Sequence, residues 1–529
     1  MTGSENAASE WLAARRDMPA AVPAVVGSGF GAFVARARAA GALVVQPRMG
    51  MADPLRMRDG LLATRNADAV TVGTVTLDSY TRTGDLAAVR RALAEGVGLN
   101  GYPIATHSAD TTRAVLRGVA DARFPVQVRH GSAMPEHIVR ALLAAGLDAT
   151  EGGPVSYCLP YSRTPLREAV EGWRRSCELL SSIREFGAEP HLETFGGCLM
   201  GQLCPPSLLI AVSVLEALFF RQRGLRCVSL SYTQQTDPRQ DEEALTVLGR
   251  LADELLPDVD HHIVLYAYMG VFPRTPGGAR LLLEDAARLA ARFGAARLIV
   301  KTTAEAHRIP TIGENIRALE TAAAVAGGPG RPVAVAASRT GADGTAAGRT
   351  GVGDPGVGVR SPGVEGPGVE DTGIEAEART LIGAVLELDT DIGRALIRAF
   401  AAGYLDVPYC LHPDNAGRAR SSLGADGRLH WSSVGSMPIA GPAGGGPRPP
   451  ILGSDGLISA LSLVQRTYDA RASAPAVGAS RGASRVHAVP RVPAAPPSPV
   501  APGASAATLT PLPPRTTSTP RRELGLTTP

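Results

Sequence analysis

Residues Phe124–Gly153 read FPVQVRHGSAMPEHIVRALLAAGLDATEGG, and their pattern decides the fold. The apolar run FPVQV ends in the polar pair Arg129 and His130. PEHIVRALLAAG then carries apolar residues at helical spacing and stops at a glycine. A second short apolar stretch follows and ends in the glutamate of TEGG. Strand, helix and strand, with a polar residue closing each strand, make one unit of a parallel β/α architecture.

The same unit recurs on either side, from about residue 40 to 305. The apolar runs are ALVVQPR, AVTVGTV, GYPIAT, FPVQVRHG, the run before TEGG, PHLETFGG, CVSLSYT, HIVLYAYMG and RLIVKTT. Amphipathic stretches such as LAAVRRALAEG and ARLLLEDAARLAARFG separate them. About eight repeats favour a TIM (β/α)8 barrel over an open sheet. Arg48, Arg129, His130, Glu151, Glu193, Tyr232 and Lys301 each stand at or just after the end of a run. In such barrels the C-terminal strand ends form the active face, so these side chains are expected to converge on one mouth.

The pattern divides the chain into an α/β-barrel catalytic domain at 1–326 and a Gly/Pro-rich insertion at 327–374, with PGV recurring at Pro355, Pro362 and Pro367. A helical and loop extension at 375–473 and a Pro/Ala/Ser-rich tail at 474–529 complete it. Insertion and tail lack apolar periodicity, which predicts disorder in both.

Composition removes several function classes. Lys and Arg total 53 against 50 Asp and Glu, and a net charge of +3 argues against a nucleic-acid-binding surface. The cysteines at 158, 177, 198, 204, 227 and 410 form no CxxC pair and no zinc-ligand spacing, the usage of a reduced, cytoplasmic protein without a metal site of its own. MTGSENAASEWLAARRD lacks the pattern of a signal peptide. The longest apolar run, Leu208–Phe220, is interrupted by Glu216 and too short for a bilayer, so it reads as a buried helix and no membrane partner is expected. VVGSGFGAF offers a G-x-G-x-x-A match at Gly27, Gly29 and Ala32, but the next run ends Gln46-Pro47-Arg48 rather than in an acidic residue. A helix entry or a loop is the better reading than a dinucleotide site.

Arg48 and Arg129 directly follow apolar runs, and Arg82 follows SYT after another. Three guanidiniums brought together repel unless anions neutralise them, and arginine grips carboxylates through paired planar hydrogen bonds, so a small dicarboxylate is the expected guest. Glu151 reads either as a partner for one of these arginines or as the acceptor of a substrate ammonium or a general base. Tyr157 and Tyr161 read as packing residues or as rigid walls with hydroxyl donors. An amino acid with two carboxylates would satisfy all six groups. Lys301 and Glu305, four apart, are a salt bridge or a pair of contacts for a ribose; spacing leaves both open.

The segments QPRMG around Arg48, DSYTR ending at Arg82, NGYP from Asn100, QVRHG around Arg129 and EGGPVSYCLPYS from Glu151 occur in order. FGG and PPS near 195–207, MGVFP from Met269, IVKTTAEAHRIPT from Ile299, and LDVPY with NAG around 405–417 continue the series. In this order they resemble the large catalytic (epsilon) subunit of glutamate mutase, also called methylaspartate mutase. The resemblance implies a TIM barrel in which a radical derived from adenosylcobalamin interconverts L-glutamate and (2S,3S)-3-methylaspartate. It implies that Arg48, Arg82 and Arg129 grip the substrate carboxylates, that Glu151 holds the amino group, and that Tyr157 and Tyr161 complete the pocket. Asn100, Lys301 and Glu305 would face the cofactor. The chain contains no Asp-x-His-x-x-Gly cobalt-ligating signature. The resemblance therefore implies a small cobalamin-binding (sigma) subunit as partner, with a homodimer of this chain in a heterotetramer. Two segments depart from the family pattern: Tyr266 stands where a histidine is common, and SYTQQTDPRQD from Ser231 replaces a loop rich in Gly, Cys and Asn. These departures suggest a difference on the adenosine side or at the subunit interface. The main alternative is a divergent paralogue that acts on, or only binds, another amino dicarboxylate; a non-enzymatic scaffold fits the arginines and Glu151 poorly.

Overall fold

The computed structural model describes residues 3–16, 29–327, 372–441 and 453–474. Most of the insertion and nearly all of the tail delimited above lie outside the described residues. Eight parallel strands form the centre: β1 Val44–Gln46, β2 Gly73–Thr76, β3 Val126–Arg129, β4 Ala149–Gly152, β5 His191–Thr194, β6 Cys227–Thr233, β7 Asp260–Tyr266 and β8 Arg297–Ile299. Each strand from β2 to β8 pairs with its sequence neighbour, and β1 pairs with β8. An isolated parallel bridge from Val45 to Thr71, with Val45 N–H donating to Val70 O at 2.9 Å, joins β1 to the start of β2 and closes the ring. This is the TIM barrel that the apolar runs predict.

Eight of the nine runs become strands. GYPIAT does not: Tyr102 makes only an isolated bridge to Leu77, and Pro103 has no N–H to give a ladder. Tyr102 and Ile104 are instead buried in the loop between helices Leu86–Ala94 and Ala109–Leu116.

Helices follow the strands, and the sequence marks their starts. Asp53 caps Pro54–Arg65, Asp237 caps Pro238–Leu255 and Thr275 caps Pro276–Arg292, each accepting from a first-turn N–H with proline at the first helical position. Helix Phe30–Ala39 takes in the last residues of the glycine-rich stretch. Gly29 is its N-cap and Gly27 lies outside the described residues. Phe30 stacks on His191 at 5.0 Å, and the Arg297 guanidinium sits 4.9 Å over its ring. Both partners begin strands, so Phe30 plugs the N-terminal end of the barrel, away from the mouth.

Helix Pro206–Gln222, the apolar run, is buried along almost its whole length. It is apolar on all sides because β5 and β6 cover one side while helices Ile374–Leu386 and Ile392–Ala402 of the C-terminal extension cover the other. An antiparallel hairpin of β9 Arg420–Leu423 and β10 Leu429–Ser433 follows, and helix Leu463–Ser473 then docks on Pro276–Arg292. Among the described residues no helix is long and apolar enough to cross a membrane. All six cysteines are buried free thiols.

The barrel interior is polar. Arg297, fully buried on β8, bonds Gln46 and Glu193, donates to Ser229 Oγ at 2.9 Å, and reaches His262 Nε2 at 3.2 Å. Gln46 donates to Thr74 Oγ1 at 3.0 Å and to Gln127 Oε1 at 2.8 Å, so these bonds join every strand but β4 in one network. Removing one partner of a buried ion pair strands the other charge without water. Arg297→Leu is therefore expected to lower the unfolding free energy in a urea titration by about 3–5 kcal/mol, while the surface change Arg288→Leu costs at most about 1 kcal/mol. Equal losses would mean that Arg297 does not hold Glu193.

Candidate active site

Strand register builds the site. Glu151 on β4 pairs directly with Glu193 on β5, so two buried carboxylates stand side by side and need cations. Arg129, the last residue of β3, supplies one from above, and Arg297 supplies one from below. Arg129 forms a close ion pair with Glu151, approaches Glu193 Oε1 at 3.5 Å, and donates to Tyr266 Oη at 2.8 Å. The Tyr266 hydroxyl at the end of β7 lies 3.0 Å from Glu151 Oε2 and also against Glu193. Tyr157 donates to the other oxygen of Glu151.

The two carboxylates differ electrostatically. Burial raises the pKa of both, but Arg297 and then Arg129 pull Glu193 down to about 2. Glu151 faces only Arg129, and burial pushes it above the ordinary carboxylate range. Glu151 is thus the member of the pair that accepts a proton first. Burial opposes the charge of Arg129, yet Glu151, Tyr266 and Glu193 hold it ionised. His130 is driven down to about 3, chiefly by burial, and stays neutral. Its Nδ1 accepts from Ser132 N–H at 3.1 Å, which puts the proton on Nε2, a buried donor without a partner.

Arg48 and Arg82 are half-buried after β1 and β2, and neither has a carboxylate partner among the described residues. The Nε of Arg82 is buried and unbonded. Tyr161 stands 47% exposed at the mouth, with its ring against Tyr157 and Phe195. Desolvation of the part of the ring packed against its neighbours raises its phenol pKa, and the charges of Arg48 and Arg82 act against that rise, so both arginines lie within electrostatic reach of this wall. Thr76 Oγ1, Ser231 Oγ, Thr233 Oγ1 and Gln235 Oε1, at the ends of β2 and β6, are also buried without partners. Unsatisfied polar atoms gathered at strand ends are what a polar ligand would complete.

Asn100 is exposed, and its Oδ1 accepts from Ser79 N–H at 2.9 Å, steadying the short helix Ser79–Thr83 that carries Arg82. Lys301 and Glu305 do pair, Nζ to Oε2 at 3.6 Å, but through a turn rather than along a helix face. The Lys301 ammonium lies 5.2 Å from the Phe272 ring, and burial lowers its pKa to about 8.

Several site residues escape motif reading. Tyr266, noted above only as a departure, stands among Arg129, Glu151 and Glu193 at the heart of the pocket. Ser231–Gln235 of the second departure is buried rather than facing outward; Tyr232 turns away from the barrel axis to donate to Asp241 at 2.9 Å. Glu193 follows a run like the others but carries no motif. Glu216 breaks the apolar helix because its carboxylate accepts from Val155 N–H at 3.2 Å, Ser156 N–H at 2.9 Å, Ser156 Oγ at 3.0 Å and Phe195 N–H at 3.3 Å. One side chain thereby ties the Tyr157 loop to the residue after β5. The signal was in the sequence, as the one charge in that run. A second neglected signal is Lys301 itself: it is the only lysine of the chain, and the other 52 of the 53 Lys and Arg residues are arginine.

Fold and site together define a TIM barrel with an ionic, ligand-ready mouth at its C-terminal strand ends. Residues 27–327 and 364–443 match the family model of the methylaspartate mutase E chain, and the chain belongs to that family. It is similar to the glutamate mutase epsilon subunit of Halobacterium salinarum, 31% identical over 418 residues that cover 77% of this chain and 80% of the relative. The subunit of the same name from Desulfitobacterium hafniense is 28% identical over 422 residues, 77% of this chain and 80% of that one. The one from Escherichia coli O157:H7 is 27% identical over 376 residues, 69% and 72% respectively.

The Glu216 clasp explains the second glycine of TEGG, and backbone conformation explains the first. Gly152 has φ 130°, and a Cβ on Gly153 would lie 2.0 Å from the Glu216 carboxylate. Gly153→Ala should therefore displace Glu216, lower stability by about 1–3 kcal/mol, and speed amide hydrogen exchange at Val155, Ser156 and Phe195 before that of the barrel strands. Unchanged exchange at these three amides would mean that the clasp does not hold the loop.

Proposed function

We propose that this chain is the catalytic subunit of an adenosylcobalamin-dependent mutase that interconverts L-glutamate and (2S,3S)-3-methylaspartate. The observation that carries the reading is the buried Arg129–Glu151 pair beside two arginines without carboxylate partners. An α-amino acid bears the same two charges as that pair. Its carboxylate can take over Arg129 and its ammonium Glu151, so that no buried charge is left alone. A second carboxylate then answers Arg48 and Arg82. Tyr157 and Tyr161 wall the pocket, and Tyr266 keeps a neutral hydroxyl on Glu151, because burial holds its phenol well above the ordinary value.

The residues present suit the nucleoside part of the cofactor. Lys301 and Glu305 offer an ammonium and a carboxylate to ribose hydroxyls, Asn100 stands beside the Arg82 helix, and the free hydroxyls of Thr76 and Thr233 are further polar contacts. When bound, adenosylcobalamin supplies a carbon-centred radical. What this chain contributes is charge balance on the substrate, exclusion of water by Tyr157, Tyr161 and Phe195, and a fixed pocket wall through Glu216.

A small cobalamin-binding (sigma) subunit is the proposed partner, joined to a homodimer of this chain in the cytoplasm. The surface favours a lid of this kind. Leu55, Tyr80, Tyr161, Val271 and Ile309, all large and exposed, fall in segments that follow β1, β2, β4, β7 and β8 and so ring the mouth. A paralogue acting on another amino dicarboxylate is the alternative, and Tyr266 in place of histidine is the feature that favours it.

The test is reconstitution. The chain mixed with a small cobalamin-binding subunit and adenosylcobalamin should convert L-glutamate, and neither protein alone should. Arg129→Lys in the same assay should lower kcat/KM by about 100-fold, since lysine cannot make the planar double contact. Conversion of another amino dicarboxylate but not of glutamate would select the paralogue, and turnover equal to wild type in Arg129→Lys would remove Arg129 from the site.

A further inference from the structure

Of the 53 Lys and Arg residues of this chain, every one except Lys301 is arginine. A permanent cation could be arginine here as elsewhere; what arginine cannot do is release its proton. The position makes that property matter. β1 and β8 pair in the register Val44 to Arg297, Val45 to Leu298 and Gln46 to Ile299, and Val300 N–H donates to Gln46 O at 3.0 Å. Continued two residues past the ends of both strands, this register sets Arg48 opposite Lys301 at the mouth, and the Arg48 charge acts on Lys301.

Lys301 is 7% exposed. The charged groups that act on it are Glu305 on its own loop, at 3.6 Å, and Arg48 across the seam; the Phe272 ring from the segment after β7 lies 5.2 Å from the ammonium. Arg48 has no carboxylate of its own among the described residues. Lys301 thus has one carboxylate partner and one neighbouring cation, and that cation has no carboxylate partner of its own.

We propose that Arg48 and Lys301 form a proton-linked pair, in which an anion bound at Arg48 causes Lys301 to take up a proton from solvent and so charges the Lys301–Glu305 end of the site. This rests on the reading that a substrate carboxylate binds Arg48. The neutral amine gains one proton and nothing else changes. With the neighbouring guanidinium neutralised, the like-charge repulsion that favours the free amine is gone. Linkage is reciprocal, so a ligand that needs the ammonium binds more tightly once the anion is in place, and the anion binds more tightly once that ligand is present. The lowered pKa of Lys301, to which burial contributes most and Arg48 adds, is consistent with such a pair. At a pH near that value the link is strongest, and well below it the lysine is already charged and the link vanishes.

The solitary lysine makes the test direct. Full-length chain grown with lysine carrying 13C at Cε gives one lysine resonance, whose shift is followed from about pH 6 to about pH 11. In Arg48→Gln the midpoint should rise by about half a pH unit or more relative to wild type. Saturating L-glutamate should raise the wild-type midpoint in the same direction and leave that of Arg48→Gln unmoved. A midpoint unchanged by Arg48→Gln overturns the pair. A midpoint unchanged by glutamate, when calorimetry shows glutamate bound, overturns the link to the anion. Should calorimetry show no glutamate binding, the amino-dicarboxylate reading fails, and the Arg48→Gln midpoint still decides the pair.

Discussion

Glu193 is the point on which this barrel turns. A carboxylate fully buried on the barrel axis is tolerable only with compensation from more than one side, and it has Arg297 below and Arg129 above. Through Arg297 the charge is tied to Gln46, Ser229 and His262, so the lower interior is a closed polar layer rather than the usual stack of branched apolar side chains. Through Arg129 the same charge fixes the floor of the mouth. The guanidinium cannot swing away without leaving Glu193 to Arg297 alone, and Glu151 is held against it from the next strand.

That arrangement separates two neighbouring carboxylates into different roles. Glu193, between two arginines that hold its pKa well below the ordinary carboxylate range, serves as a fixed counter-charge. Glu151 shares one arginine, carries two phenolic neighbours and is pushed upward by burial, so it is the carboxylate free to exchange its partner. On the proposed reading, an incoming ammonium takes the place that Arg129 holds against Glu151. The pocket is thereby prepared for a zwitterion: a diacid without an amino group would free Arg129 from Glu151 and leave the latter buried without a cation.

Much of this was legible in the sequence. The strand ends announced themselves because an apolar run that stops at an arginine or glutamate has one consistent meaning in a parallel barrel, and Arg48, Arg129, Glu151 and Lys301 were found that way. GYPIAT misled because burial of Tyr102 and Ile104 in a loop leaves the same apolar trace as burial in a strand; only the missing ladder partner tells them apart. Arg297 was invisible for a different reason. It begins a strand instead of ending one, and nothing local distinguishes a fully buried arginine from a surface one when its partners lie 251 residues away at Gln46 and 104 away at Glu193. Tyr266 was seen as a departure but not placed, since which way the last residue of β7 points is decided by register.

The tyrosine also bears on the charge of the pocket. Its hydroxyl touches Arg129, Glu151 and Glu193 together, and burial keeps it protonated, so it can donate to a carboxylate without adding charge. A histidine at the same place would meet the same carboxylates as a group able to become a cation. With tyrosine, Arg129 and Arg297 balance Glu193 and an ionised Glu151, leaving Arg48 and Arg82 as the surplus positive charges at the mouth. The attraction for an anion is then concentrated on the rim near Tyr161 and not on the floor. An extended amino dicarboxylate, with its amino acid end at Glu151 and its far carboxylate at the rim, matches that distribution; a compact ligand that reached only the floor would leave the rim arginines unanswered.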